Sequence, residues 1–203
     1  MGRWEPDARG RLIGAAIELY SSRGFEQTTV ADIAERAGVT ERTFFRHFAD
    51  KREVLFNGSA TLLDAVVAAI AAAPAGLAPV EVMGRAMEAG AAQLGVERDY
   101  ARTRAAVIAA NPSLLERELL KLASMGAAST AALRERGVPA SAASLAAEAG
   151  VTVFKRGFDR WTGSTDDPGD PEAPDAPDAP DDLALCIRAA LTELRTLTSE
   201  AVR

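Results

Sequence analysis

Residues 38–48, GVTERTFFRHF, crowd Arg42, Arg46 and the chain's only histidine, His47, together with Thr40, Thr43, Phe44, Phe45 and Phe48. Guanidinium, imidazole and hydroxyl groups are hydrogen-bond donors, and here only Glu41 opposes their positive charge. Such a set suits the grip on a polyanion better than bond-breaking chemistry. Catalytic alternatives are weakly supported. A hydrolytic triad would have to use His47 as its base, and no Gly-x-Ser-x-Gly elbow is present. The patterns HExxH, GxxxxGK[ST] and GxGxxG are also missing, and one histidine with one distant cysteine, Cys186, offers no close metal-ligand spacing. No catalytic residue, metal or cofactor is expected.

The elements that must position these groups can be read from spacing. After Pro6 and Asp7, apolar residues recur at Leu12, Ile13, Ala16, Ile17 and Tyr20 until Gly24, the one-sided stripe of an amphipathic helix. Thr29 opens "TVAD", a capping pattern, and Val30, Ile33, Ala34 and Ala37 follow on one face of a second, short helix. Gly38 supplies the left-handed residue of a tight reversal. Thr40 can cap a third helix, with Phe44 and Phe48 four residues apart facing inward. Two short helices meeting across such a turn make a helix-turn-helix. Its apolar bulk holds the third helix, while Glu41, Arg42, Thr43, Arg46 and His47 reach a groove and its phosphates.

The net charge of −6 argues against a nucleic-acid partner only until its distribution is seen. Residues Thr162–Asp182 carry seven Asp and one Glu with no Lys or Arg, so the rest of the chain stands at +2. Between Arg36 and Arg52 there are five basic side chains against two acidic ones.

The stretch FEQTTVADIAERAGVTERTFFRHFADKREVLF, Phe25 to Phe56, with the amphipathic helix before it, resembles the N-terminal domain of the TetR family of bacterial transcriptional regulators. The turn glycine, Thr40, Thr43, the aromatic pair, His47, Phe48 and Lys51 stand at the family's spacing. The resemblance implies phosphate contacts for Thr29, Thr40, Arg46, His47 and Lys51, and base-edge contacts for Glu41, Arg42 and Thr43. Phe45 departs from the family's usual tyrosine; lacking a hydroxyl, it is expected to make an apolar contact to sugar or a thymine methyl.

Beyond this segment the chain reads as all-α. A helix from Asp50 through Leu55, Leu62, Leu63, Val66, Val67 and Ile70 to Ala72 is expected to connect two domains, residues 1–53 and 54–203, with Gly58 in its middle. Further helices are expected over Val80–Leu94, Arg98–Ala110, Pro112–Gly137 and Pro139–Trp161. Leu183, Ile187, Ala190, Leu194 and Leu197 repeat at spacings of 4, 3, 4 and 3, and Val151, Phe154, Phe158 and Trp161 at 3, 4 and 3. Such stripes usually bury against their own chain; with the resemblance, they are assigned to a homodimeric four-helix bundle. Between them, PEAPDAPDAP has proline at every third position, which predicts an exposed loop over residues 162–182.

Met83, Met87, Tyr100, Arg104, Ile108, Leu122 and Met125 are candidates for an adaptable ligand pocket, although residues of this kind also fill ordinary cores. The longest near-apolar run, Ala65 to Ala73, is too short to span a bilayer, and the charged N-terminus is unlike a signal peptide. A cytoplasmic protein is expected. The resemblance implies, as the leading expectation, a homodimeric regulator of palindromic operator DNA, a repressor released by a small-molecule effector. An enzyme or carrier with a vestigial helix-turn-helix and an architectural DNA-binding protein without effector are the alternatives.

Overall fold

The computed structural model describes residues 7–163 and 182–199. The acidic loop expected over residues 162–182 lies outside them except at its margins, where Thr162 still belongs to a helix. Among the described residues there are nine helices and no strand: α1 (Ala8–Arg23), α2 (Val30–Arg36), α3 (Glu41–His47), α4 (Ser59–Ala72), α5 (Pro79–Leu94), α6 (Arg98–Ala109), α7 (Pro112–Glu135), α8 (Ala140–Thr162) and α9 (Leu183–Ser199).

The chain folds into two compact units. Of the described residues, the first unit comprises those up to Asn57 together with Thr103–Glu118; the second comprises Gly58–Arg102 and those from Leu119 onward. The expected division after residue 53 did not foresee that the end of α6 and the start of α7 belong with the first helices. Part of their contribution is apolar: Val107, Ile108 and Leu114 join Leu12, Leu19, Ile33, Phe44, Phe48, Val54, Leu55 and Phe56 in one buried cluster. Burial of each large side chain in such a cluster is worth about 1.5–3 kcal/mol.

Local signals set the short helices of this unit. The Thr29 hydroxyl accepts the Asp32 N–H at 3.1 Å and the Asp32 carboxylate accepts the Thr29 N–H at 2.8 Å, a reciprocal capping box at the start of α2. At its end Gly38 takes φ +66°, Gly38 N–H bonds the Glu35 carbonyl at 3.0 Å and Val39 N–H bonds the Ala34 carbonyl at 2.9 Å. That pair of bonds satisfies the last carbonyls of α2 and reverses the chain into α3.

A continuous helix from Asp50 to Ala72 does not form. The Asp50 carboxylate accepts the N–H groups of Arg52 and Glu53 at 2.8 and 3.1 Å, and the turns that follow close through i→i−3 bonds from Leu55 to Arg52 and from Phe56 to Glu53. Gly58, expected in mid-helix, sits at φ +92°, ψ −13° and caps α4 instead. A right-handed helix cannot pass through a residue in that conformation.

In the second unit α5 packs against α4, α8 and α9, and α8 packs against α9. Small residues allow the close approach: Gly90 lies under Val66 and Leu62 of α4, Gly84 under Leu191 of α9, and Gly150 of α8 under Met83. Glu81 pairs with Arg195 and Glu88 with Arg188, which fixes α5 and α9 as antiparallel. No helix of the described residues is long and apolar enough to cross a membrane.

Candidate nucleic-acid interface

Phe44 and Phe48 hold α3 by its apolar face. Phe44 is fully buried and Phe48 nearly so, their rings 5.6 Å apart, and the Arg9 guanidinium covers the Phe48 ring at 5.5 Å. The opposite face is open. Glu41, Arg42, Phe45 and Arg46 are exposed, and Thr43 is half-buried. Phe45, 56% exposed, is anchored only edge-on to Phe44 at 5.5 Å. Arg42, Phe45 and Arg46 are three and four residues apart, so they share one helical face.

Electrostatic pairing narrows the set of charges available to an anionic partner. Arg36 is bound by the Glu18 carboxylate at 2.6 and 2.8 Å, and this hydrogen-bonded pairing raises its pKa above the ordinary guanidinium value. Arg52 is held by Asp50 at 2.8 Å, and Arg23 lies 3.9 Å from Asp32. Arg42 and Arg46 remain exposed outside these pairs. Of the arginines counted along residues 36–52, those left outside such pairs are therefore Arg42 and Arg46, both on α3.

The expected phosphate-contacting residues divide in the same way. Thr40 caps α3, its hydroxyl accepting the Thr43 N–H at 3.2 Å and lying 3.1 Å from the Thr43 hydroxyl; of these two paired hydroxyls, one keeps a proton to give. Thr29, by contrast, donates its only hydroxyl proton to Asp32 at 2.6 Å. The Lys51 ammonium is directed into the chain, to the carbonyls of Phe25 at 2.8 Å, Thr28 at 2.9 Å and Glu26 at 3.4 Å. His47 is half-buried, and its Nε2 atom is buried without a hydrogen-bond partner.

Sequence reasoning placed Tyr20 only in the apolar stripe of α1 and did not single out Thr28. Tyr20 donates its hydroxyl to the Lys51 carbonyl at 2.6 Å, and burial, reinforced by the Asp50 charge, raises its pKa far above the phenolic range. Thr28 is fully buried and donates to the Gly24 carbonyl at 2.8 Å. Tyr20 and Lys51 are 31 residues apart, and no spacing rule links them.

The other expected sites are placed as follows. Met83, Met87 and Met125 are buried in the core of the second unit with Leu122 packed against it, and Tyr100 is half-buried. Ile108 and Arg104 serve the first unit: Ile108 is core, and Arg104 donates to the Leu55 carbonyl at 2.6 Å and to both oxygens of Glu118 at 3.2 and 2.8 Å. Along the two stripes, Phe154, Trp161, Leu183, Ile187 and Ala190 are buried within their own chain. Val151, Phe158 and Leu194 are half-buried against that core, and Leu197 is exposed. Leu145 of α8 and Leu185 of α9, which the stripes omit, are exposed.

Comparison with known proteins adds to this geometry. Residues 12–57 match the family described as bacterial regulatory proteins, tetR family. Over 81 residues the chain is 44% identical to the HTH-type transcriptional regulator TcmR of Streptomyces glaucescens, covering 40% of this chain and 36% of that protein. Over 47 residues it is 40% identical to the HTH-type transcriptional repressor KstR2 of Mycobacterium tuberculosis, covering 23% and 24%. The chain thus spans well under half the length of these relatives. In backbone it is similar to the fatty acid degradation regulator FadR of Bacillus halodurans, with a TM-score of 0.53 over 95% of this chain and 96% of that one at 16% identity, a likeness of fold.

Proposed function

We propose that this chain, whose amino-terminal helices form a TetR-family helix-turn-helix domain, is a transcriptional regulator that binds palindromic operator DNA as a homodimer, represses, and is released by a small-molecule effector. One observation carries the reading: α3 is locked from behind by Phe44 and Phe48 and presents Arg42, Phe45 and Arg46 on one open face. A helix so mounted fits the major groove, with Arg42, Glu41 and Thr43 toward base edges and Arg46, Thr40 and His47 toward phosphates. Phe45 suits a thymine methyl.

We read the work of the protein as binding, a reading supported by the placement of its sole histidine on α3 beside Arg42 and Arg46. Its partners are double-stranded DNA, a second copy of the chain and an effector, and its place is the cytoplasm. Exposed Leu145, Leu185 and Leu197 are the apolar surface that supports pairing of two copies. The interior around Met83, Met87 and Met125 supports an apolar effector, since methionine side chains repack readily around a guest. An effector that releases DNA must bind the free protein more tightly than the DNA-bound one.

Selection of bound duplexes from a random pool tests the reading. The expected product is a palindrome whose half-sites are about 34 Å apart, one turn of B-DNA. Recovery of unrelated sequences, or of none, would refute it.

A further inference from the structure

Three carbonyls and one aromatic ring surround the Lys51 ammonium. The carbonyl oxygens of Phe25, Thr28 and Glu26 lie 2.8, 2.9 and 3.4 Å from Nζ, and the Phe25 ring centroid lies 4.4 Å away. An ammonium has three N–H donors, and three acceptors take them all. The backbone of the same residue is held as well, because its carbonyl accepts the Tyr20 hydroxyl at 2.6 Å. Phe25 is itself fixed edge-on against Tyr20 at 5.2 Å. Between these anchors the Thr28 hydroxyl closes the loop onto the Gly24 carbonyl. The segment joining α1 to α2 thereby has its inward carbonyls satisfied by a side chain from the turn that follows α3.

We propose that Lys51 is a positioning residue and not a phosphate contact: its ammonium fills a seat for a small N–H-bearing cation, and this fixes the loop from which α2 and then α3 start. The claim about DNA rests on the reading above, whereas the seat itself does not. A charge spent on three carbonyls would have to give up all three bonds to reach a phosphate, and Arg46 stands exposed for that purpose without such a loss. Removal of the side chain leaves the three carbonyls oriented toward an empty, cation-sized space that methylammonium can enter, donating the same bonds.

The test uses the full-length Lys51→Ala protein in thermal unfolding. The Tm is expected to fall by at least about 4 °C and to recover in methylammonium chloride but not in tetramethylammonium chloride, which has no N–H, at equal ionic strength. Where the alanine variant does not fold, Lys51→Met keeps the stem over the Phe25 ring and is measured instead for loss of Tm. On DNA, the slope of log K against log salt for Lys51→Met should equal that of the unmodified protein, while a lost phosphate contact would reduce it by about 0.9 per subunit. A slope reduced by that amount with an unchanged Tm overturns the proposal, as does equal recovery in the two ammonium salts. Absence of any DNA binding would sink the functional reading but leave the Tm and recovery measurements to judge the seat.

Discussion

Gly157 of α8 and Ile187 of α9 meet main chain to main chain: a β-carbon on Gly157 would stand 2.7 Å from the Ile187 Cα and 2.8 Å from its nitrogen. Backbone cannot move aside as a side-chain tip can. Gly157→Ala should therefore lower stability by about 1–3 kcal/mol, the usual cost of forcing atoms into a close-packed contact. At Gly126 the same added carbon would meet the Glu148 carboxylate oxygen at 3.2 Å and Val151 at an ordinary 3.8 Å, side-chain atoms in both cases, and Gly126→Ala should be neutral or gain up to about 1 kcal/mol of helix preference. Urea unfolding of the two variants checks the contrast.

The two exposed arginines of α3 should fail differently. Arg46→Ala is expected to weaken binding to all duplexes and to reduce the salt slope by about 0.9 per subunit. Arg42→Ala should cost about 1–3 kcal/mol on the selected operator and relax the preference at one position of each half-site. Equal losses for Arg42→Ala on operator and random DNA would remove it from base reading.

What was legible in the sequence followed from local rules. The Thr29–Asp32 box, the Thr40 cap, the Gly38 reversal and the inward Phe44 and Phe48 each depend on residues within five positions of one another, so α3 and its mount were readable. Lys51 was not: its partners lie 23 to 26 residues earlier and are main-chain carbonyls, which every residue type carries. Gly58 failed for a different reason. The apolar spacing around it fits a helix, and periodicity does not register a single residue at φ +92°. The stripes of α8 and α9 were assigned to a bundle between two copies, yet Phe154, Trp161, Leu183, Ile187 and Ala190 are buried within their own chain and Leu197 is exposed; the repeat of a stripe says that something covers it and not which chain supplies the cover.

Arg104 and Glu118 form a two-bond pair in the first unit with little solvent around them, their side chains 17% and 27% exposed. Phe56 lies under the guanidinium groups of both Arg104 and Arg117, at 5.3 and 5.9 Å, and Arg117 in turn pairs with Glu53. A double-mutant cycle of Arg104→Met and Glu118→Gln should show a coupling of about 1.5–3 kcal/mol, the range for hydrogen bonds to charged groups. Coupling near zero would make the pair incidental.

Acid should loosen the start of α2. The Asp32 pKa is lowered, first by the Thr29 hydroxyl and then by the Thr29 N–H. A carboxyl depressed in the folded state contributes stability that is fully present above its unfolded value, near 4, and is lost as pH falls through the folded one. Thr29→Ala should raise the Asp32 value toward the ordinary carboxylate range, and Asp32→Asn should flatten that part of the acid limb. An NMR titration of the Asp32 carboxyl carbon measures the first, and unfolding below pH 5 the second.

Pairing of two copies can be probed without damaging the core. Leu194 is half-buried against its own chain, whereas Leu145 and Leu185 are 70% and 44% exposed. The double variant Leu145→Glu, Leu185→Glu should be folded and monomeric by light scattering, with operator affinity lost because one head makes too few contacts. A variant that remains a dimer would place the interface elsewhere.

Val107, Ile108 and Leu114 complete the core around Phe44, although roughly 50 residues separate them from Phe56 in the chain. On a ribosome adding about 5–20 residues per second, Phe56 is made some 3–12 s before Leu114. Throughout that interval the nascent helices α1–α3 lack part of their apolar cover. The same arrangement limits recombination: a crossover just after Asn57 would transplant the helix-turn-helix without its closing segment, and a viable chimera has to inherit residues 103–118 from the same parent.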